Sequence, residues 1–185
     1  MATGDLTTLA NAKAYIPNAG TADDALLARM ITGLSAFVVN WLNRNILTAS
    51  YTETRDGYDT TRMMTLNYPI TAVSAVTVNG SSIPLASGWP QNGYGFDSAS
   101  IVLMGYSFPR GFRNVTLAYT AGFATVPADI EQAVLEVLAL RYKQRDRVGY
   151  NSKSLAGETV AFTISDMEKS TITALRAYQM VVPIQ

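Results

Sequence analysis

TADDALLARMITGLSAFVVNWL, residues 21–42, brings Leu27, Met30, Ile31, Leu34, Phe37, Val38, Trp41 and Leu42 round to one broad face at about 3.6 residues per turn. That spacing predicts an amphipathic helix. Thr21 is placed to cap its start, and Asp23 and Asp24 fall where carboxylates complement the positive end of the helix dipole. Asn43-Arg44-Asn45 closes it. Upstream, Leu6 as a staple and Thr7 or Thr8 as a cap predict a short helix that Pro17 stops. Helical spacing returns at Pro127, with Asp129 and Glu131 in the first turn and Ile130, Val134, Val137, Leu138 and Tyr142 on the buried face. A last helix is expected from about Asp166 to Tyr178, with Ser165 and Glu168 spaced as a capping box.

Between these helices the period changes to two. Tyr51–Arg55 alternates β-formers with charges, Asp56-Gly57-Tyr58-Asp59 supplies a turn, and Arg62–Leu66 returns. Val73, Val76 and Val78 run into Asn79-Gly80, a pair that tolerates positive φ at both central positions of a hairpin turn. Ser81–Leu85, Ile101–Met104 and Asn114–Thr120 read as further strands, and Gly88–Gly95 as a turn-rich loop carrying Trp89, Pro90 and Tyr94. Five to six short strands without intervening helices imply antiparallel pairing. The fold class is therefore α+β: a small bundle of three to four helices with an inserted antiparallel β-rich region. One domain is expected over residues 1–185, with its helical core from 6–47 and 126–182 and the β insertion at 51–122.

Composition narrows the function. Acidic and basic side chains number 14 each, so phosphate neutralisation on nucleic acid is disfavoured. The chain has no cysteine and no histidine, which removes disulfides, thiolate metal sites and the usual general base. No cofactor or metal is expected, since the glycines form no phosphate cradle and Lys153-Ser154 lacks the upstream glycines of a P-loop. Catalysis would have to rest on carboxylates such as Glu53, Asp56 and Asp59, as in a glycan hydrolase. Turn and dipole chemistry already accounts for Asp56/Asp59, Asp23/Asp24 and Asp129/Glu131, so the chain reads as a non-enzyme. No apolar run approaches a membrane span and no signal peptide opens the sequence, so no membrane partner is expected and a cytosolic start is.

What remains are candidate contact surfaces. Arg141, Lys143, Arg145 and Arg147, with Lys153 beyond them, gather at the end of the third helix. They complement its dipole or pair with a neighbour's carboxylates. Trp89 and Tyr94 are residue types that anchor interfaces. The tail, Met180-Val181-Val182-Pro183-Ile184, is apolar and either folds back on the core or docks elsewhere.

The ordered motifs resemble a known family. Leu6-Thr7-Thr8-Leu9-Ala10 with Lys13-Ala14-Tyr15, then Thr21–Leu27, Tyr68-Pro69-Ile70 and Tyr119-Thr120-Ala121-Gly122 before Val126–Glu131 are similar to the head–tail connector (adaptor, or head-completion) proteins of tailed bacteriophages. Arg141-Tyr142-Lys143 and Ser152–Glu158 follow in the same order. Asn11 departs from the acidic residue of many relatives, so that contact is not carried over. The resemblance implies a virion protein, assembled in the host cytoplasm as a homo-oligomeric ring under the portal, with the portal's twelvefold symmetry. It implies portal docking through Tyr178, Met180, Val181, Val182, Pro183 and Ile184. The β region and the Gly149–Gly157 loop would meet neighbouring subunits or a downstream stopper or tail-completion protein, while DNA passes through the channel unread. A tail-completion or stopper ring protein of the same machine is the alternative.

Overall fold

Thr8 opens the first helix, α1 (Leu9–Tyr15), by accepting a hydrogen bond from the Asn11 N–H at 3.0 Å. The computed structural model describes residues 4–17, 19–88, 91–145, 152–155, 158–161, 167 and 169–180, the segments 152–155 and 158–161 as backbone. After α1, residues Thr21–Asp23 form a single 3-10 turn and α2 runs Asp24–Leu42. The cap expected of Thr21 is not made. Asp23 instead accepts from the Tyr142 hydroxyl at 2.7 Å, and Asp24 pairs with Lys13 at 2.7 Å. Asn43, at φ 55, ends α2 in the left-handed conformation that asparagine tolerates.

α3 (Ala128–Gln144) contacts α1, α2 and the short α4 (Lys169–Arg176), so it is the axis of this unit. Its buried Ile130, Val134, Val137, Leu138 and Tyr142 are the expected face. From α2 come Leu27, Ile31, Leu34, Val38 and Leu42, while Phe37 stays partly exposed. By length and composition Thr21–Leu42 would pass for a membrane span, although its unbroken apolar runs, Ala25–Ala28 and Ala36–Val39 the longest, are short. Its outward face carries Arg29, Thr32 and Asn40, as the surface side of a bundle helix does.

The second compact unit is Asn45–Thr125; the first comprises Val126–Met180 and the described residues up to Arg44. Seven strands fill the second. β1 (Ala49–Gly57), β7 (Gly111–Ala121), β3 (Ile70–Val78) and β4 (Ser81–Ile83) form an antiparallel sheet in the order β1-β7-β3-β4. β2 (Arg62–Met64), β6 (Ser100–Met104) and β5 (Gly93–Phe96) form a second, in the order β2-β6-β5. The loop read over Gly88–Gly95 thus ends in a strand. Asn79 and Gly80 make the predicted hairpin turn, with φ of 50° and 80°. Val115, Leu117, Tyr119 and Ala121 of β7 point inward at period two, against Val76, Ile101 and Phe108.

The loop expected over Gly149–Gly157 holds a strand, β8 (Ser152–Leu155), which pairs antiparallel with β9 (Glu158–Ala161) beyond it. The last helix is shorter than predicted, and the Ser165/Glu168 capping box lies outside the described residues.

Candidate interaction surfaces

The carboxylates are occupied by structural tasks. Asp56 accepts from the Arg113 N–H at 2.6 Å and Asp59 from the Arg110 N–H at 2.9 Å, tying the end of β1 and the residues after it to the start of β7. Glu131 accepts from the Thr7 hydroxyl at 2.9 Å and the Asn11 amide at 2.6 Å. Glu136 accepts from the Thr171 hydroxyl at 2.9 Å and so tethers α4 to α3. Glu53 is only 8% exposed, and its carboxylate accepts from the Tyr119 hydroxyl, the Leu66 N–H and Arg55. Burial, then that bond to Glu53, pushes the Tyr119 hydroxyl up to about 12. Among the described residues no three acidic side chains converge as a metal site would require.

The basic cluster is less uniform than its sequence. The Arg141 guanidinium lies 5.1 Å over the Phe37 ring and so stitches α3 to α2. Arg145 folds back over Tyr142 at 3.9 Å and donates to the Tyr142 carbonyl at 3.0 Å, which closes the helix end. The bond to Asp23, then burial, pushes the pKa of the Tyr142 hydroxyl up and holds it protonated. Lys143 is exposed and lines a groove of about 360 Å³ with Tyr15, Glu136, Val137, Leu140 and Thr171. Arg147 and the Lys153 side chain lie outside the described residues, as does Trp89. Tyr94, read as an interface anchor, is 5% exposed: its ring packs in the β core and its hydroxyl donates to the Val73 carbonyl at 3.2 Å.

The tail divides at Met180. The Tyr178 hydroxyl donates to Asp129 at 3.0 Å, which pushes its pKa up, and the Met180 N–H donates to the Leu42 carbonyl at 3.0 Å. Up to that point the segment folds back on the helical unit. Val181, Val182, Pro183 and Ile184 lie outside the described residues.

One surface escaped the sequence reading. Phe112 is 84% exposed and Tyr58 51%, at a tip lined also by Asp56, Gly57, Arg110 and Gly111. No period in the sequence could have found it: the alternation of β7 holds from Val115 to Ala121, but the pairing with β1 shifts between Gly111 and Val115 and Arg113 turns at φ 49, so Phe112 and Arg113 are both exposed.

Comparison with known proteins adds the following. The model of the head completion protein family matches residues 5–181. Similar solved structures are a chain in the neck of an empty GTA particle computed with C6 symmetry and a chain in the virion of a native gene transfer agent (GTA) particle. Each is 18% identical, with a TM-score of 0.57, over 98% of this chain and 93% of that one. At that identity the likeness is one of fold. No curated protein matches the chain by sequence.

Proposed function

We propose, from the premise that this chain belongs to the head completion protein family, that it is a structural head–tail connector subunit. Copies of it form a ring beneath the portal, extend the DNA channel and give the tail its platform. The observation that carries this reading is the family match from residue 5 to residue 181, which takes in both the helical and the β unit. The carboxylates support it, because those a hydrolase would use are engaged with backbone amides and a buried tyrosine. A net charge of zero suits a channel that lets DNA pass without holding it. Twelve subunits are the expected ring, a number compatible with the sixfold symmetry used for the gene transfer agent neck.

Portal docking is assigned to Val181, Val182, Pro183 and Ile184, because Tyr178 and Met180 are bonded within the helical unit. Arg147, Lys153 and the β8–β9 hairpin are assigned to neighbouring subunits or the next tail component. The test is a chain ending at Met180, which keeps both bonds and is expected to fold with an unchanged Tm. Its mass, measured alone and mixed with portal rings, should show portal binding weakened at least about tenfold. Portal binding equal to that of the full chain would overturn the docking assignment.

A further inference from the structure

Phe112 is held out in water by a built platform. The Gly57 N–H donates to Asn114 Oδ1 at 2.8 Å, and Asn114 Nδ2 donates to the Pro109 carbonyl at 2.9 Å. Asp56, at the end of β1, and Asp59, just beyond it, clamp the amides of Arg113 and Arg110. A Cβ on Gly57 would lie 1.9 Å from the Pro109 carbonyl oxygen, so the end of β1 and the segment before β7 meet as closely as backbone allows. Arg113 follows Phe112 at φ 49, a conformation that a bulky side chain adopts only when its surroundings impose it. A large apolar ring fixed this way between Arg110 and Arg113, with Tyr58 beside it, has the character of an interface anchor.

The helical unit offers a matching surface. Glu136, Leu140 and Lys143 lie along one stripe of α3, the two charges about 10 Å apart at 1.5 Å per residue. Tyr15 and Thr171 form the walls, and the groove's 360 Å³ is within the range of pockets that take small rings, about 300 Å³ upward. The Glu136 carboxylate is opposite in sign to Arg110 and Arg113, and Lys143 to Asp56 and Asp59. Apolar surface lies between the charges on both sides.

We propose that Phe112 of one copy seats over Leu140 in the α3 groove of the next copy, with Arg110 and Arg113 toward Glu136. This inference rests on the ring reading and names the two surfaces that would build the ring. A contact that uses different patches on its two sides propagates from copy to copy and closes when the rotation is right.

The chain has no cysteine, so engineered pairs report cleanly. Full-length Phe112→Cys and Leu140→Cys proteins, mixed at the concentration where the wild type assembles and mildly oxidised, are expected to give a mixed disulfide dimer. A mixture of Phe112→Cys with Ser50→Cys, on the exposed edge of β1, is expected to give none. Phe112→Ala is expected to keep its Tm, because the ring is so exposed, and to weaken self-association about tenfold in sedimentation. If the wild type forms rings but the mixed disulfide does not form, or Phe112→Ala assembles like the wild type, this contact is wrong and the ring reading stands. If the wild type stays monomeric at every concentration, alone and with portal rings, both fall.

Discussion

Glu53 lies in β1 with its carboxylate almost wholly out of water, held by the Tyr119 hydroxyl, the Leu66 N–H at 3.0 Å and Arg55 at 3.2 Å. A buried charge survives only when every acceptor site is answered, so Tyr119→Phe is expected to cost about 1–3 kcal/mol in urea unfolding. The pH dependence has a definite sign. The folded hydroxyl ionises at about 12 and the unfolded one at 10.0, so the stabilisation is whole below pH 10 and drains away as pH rises toward 12. Wild-type stability should fall over that window by on the order of 1–2 kcal/mol, discounted from the full shift for solvent screening. Tyr119→Phe should lose this part of the fall, and an unchanged slope in the variant would remove the assignment. The sequence displayed Glu53 as one charge in an alternating edge strand. Its burial was illegible because the partner that makes it tolerable, Tyr119, arrives from 66 residues away. Asn11 is a similar case: its amide meets Glu131 at 2.6 Å, where an acid would set two carboxylates against each other.

At the scale of elements, legibility followed locality. The Asn79-Gly80 turn was readable because its demand for positive φ is met by the two residues themselves. Gly80→Ala is expected to cost about 1–2 kcal/mol, the usual penalty for a Cβ in the left-handed region, seen as a lower urea midpoint at unchanged slope. A neutral result would mean that the turn relaxes to another type. Both long helices were readable from their apolar stripes. β5 was not, since a four-residue strand with glycines at Gly93 and Gly95 has almost no propensity and exists because Tyr94 pairs with Leu103 and packs inward. The start of α2 was misread for the same kind of reason. Its cap is overridden by Tyr142 and Lys13, which lie 119 and 11 residues from the carboxylates they bind.

For the whole molecule, the change of period from 3.6 to two and back marked a stretch with a core of its own, and the contacts divide the chain at Asn45 and Thr125. The two ends of that stretch are zipped together: the Phe123 N–H donates to the Ile46 carbonyl at 2.8 Å and the Thr48 N–H to the Phe123 carbonyl at 3.0 Å. Neighbouring termini are what an element inserted into another unit requires, and what lets it be excised without loose ends. At roughly 80 residues the stretch is above the size at which single cores become self-sufficient. It buries Val76, Ile101, Phe108, Leu117 and Tyr119 among its own strands. A fragment of residues 45–125 is therefore expected to unfold in urea as one cooperative transition and to keep a near-UV circular dichroism signal. A fragment that binds a hydrophobic dye and melts without a midpoint would show that this core is completed only by the rest of the chain. Cooperative folding would also account for the tip: a ring as apolar as Phe112 can be offered to a neighbour only from a platform whose rigidity its own core supplies.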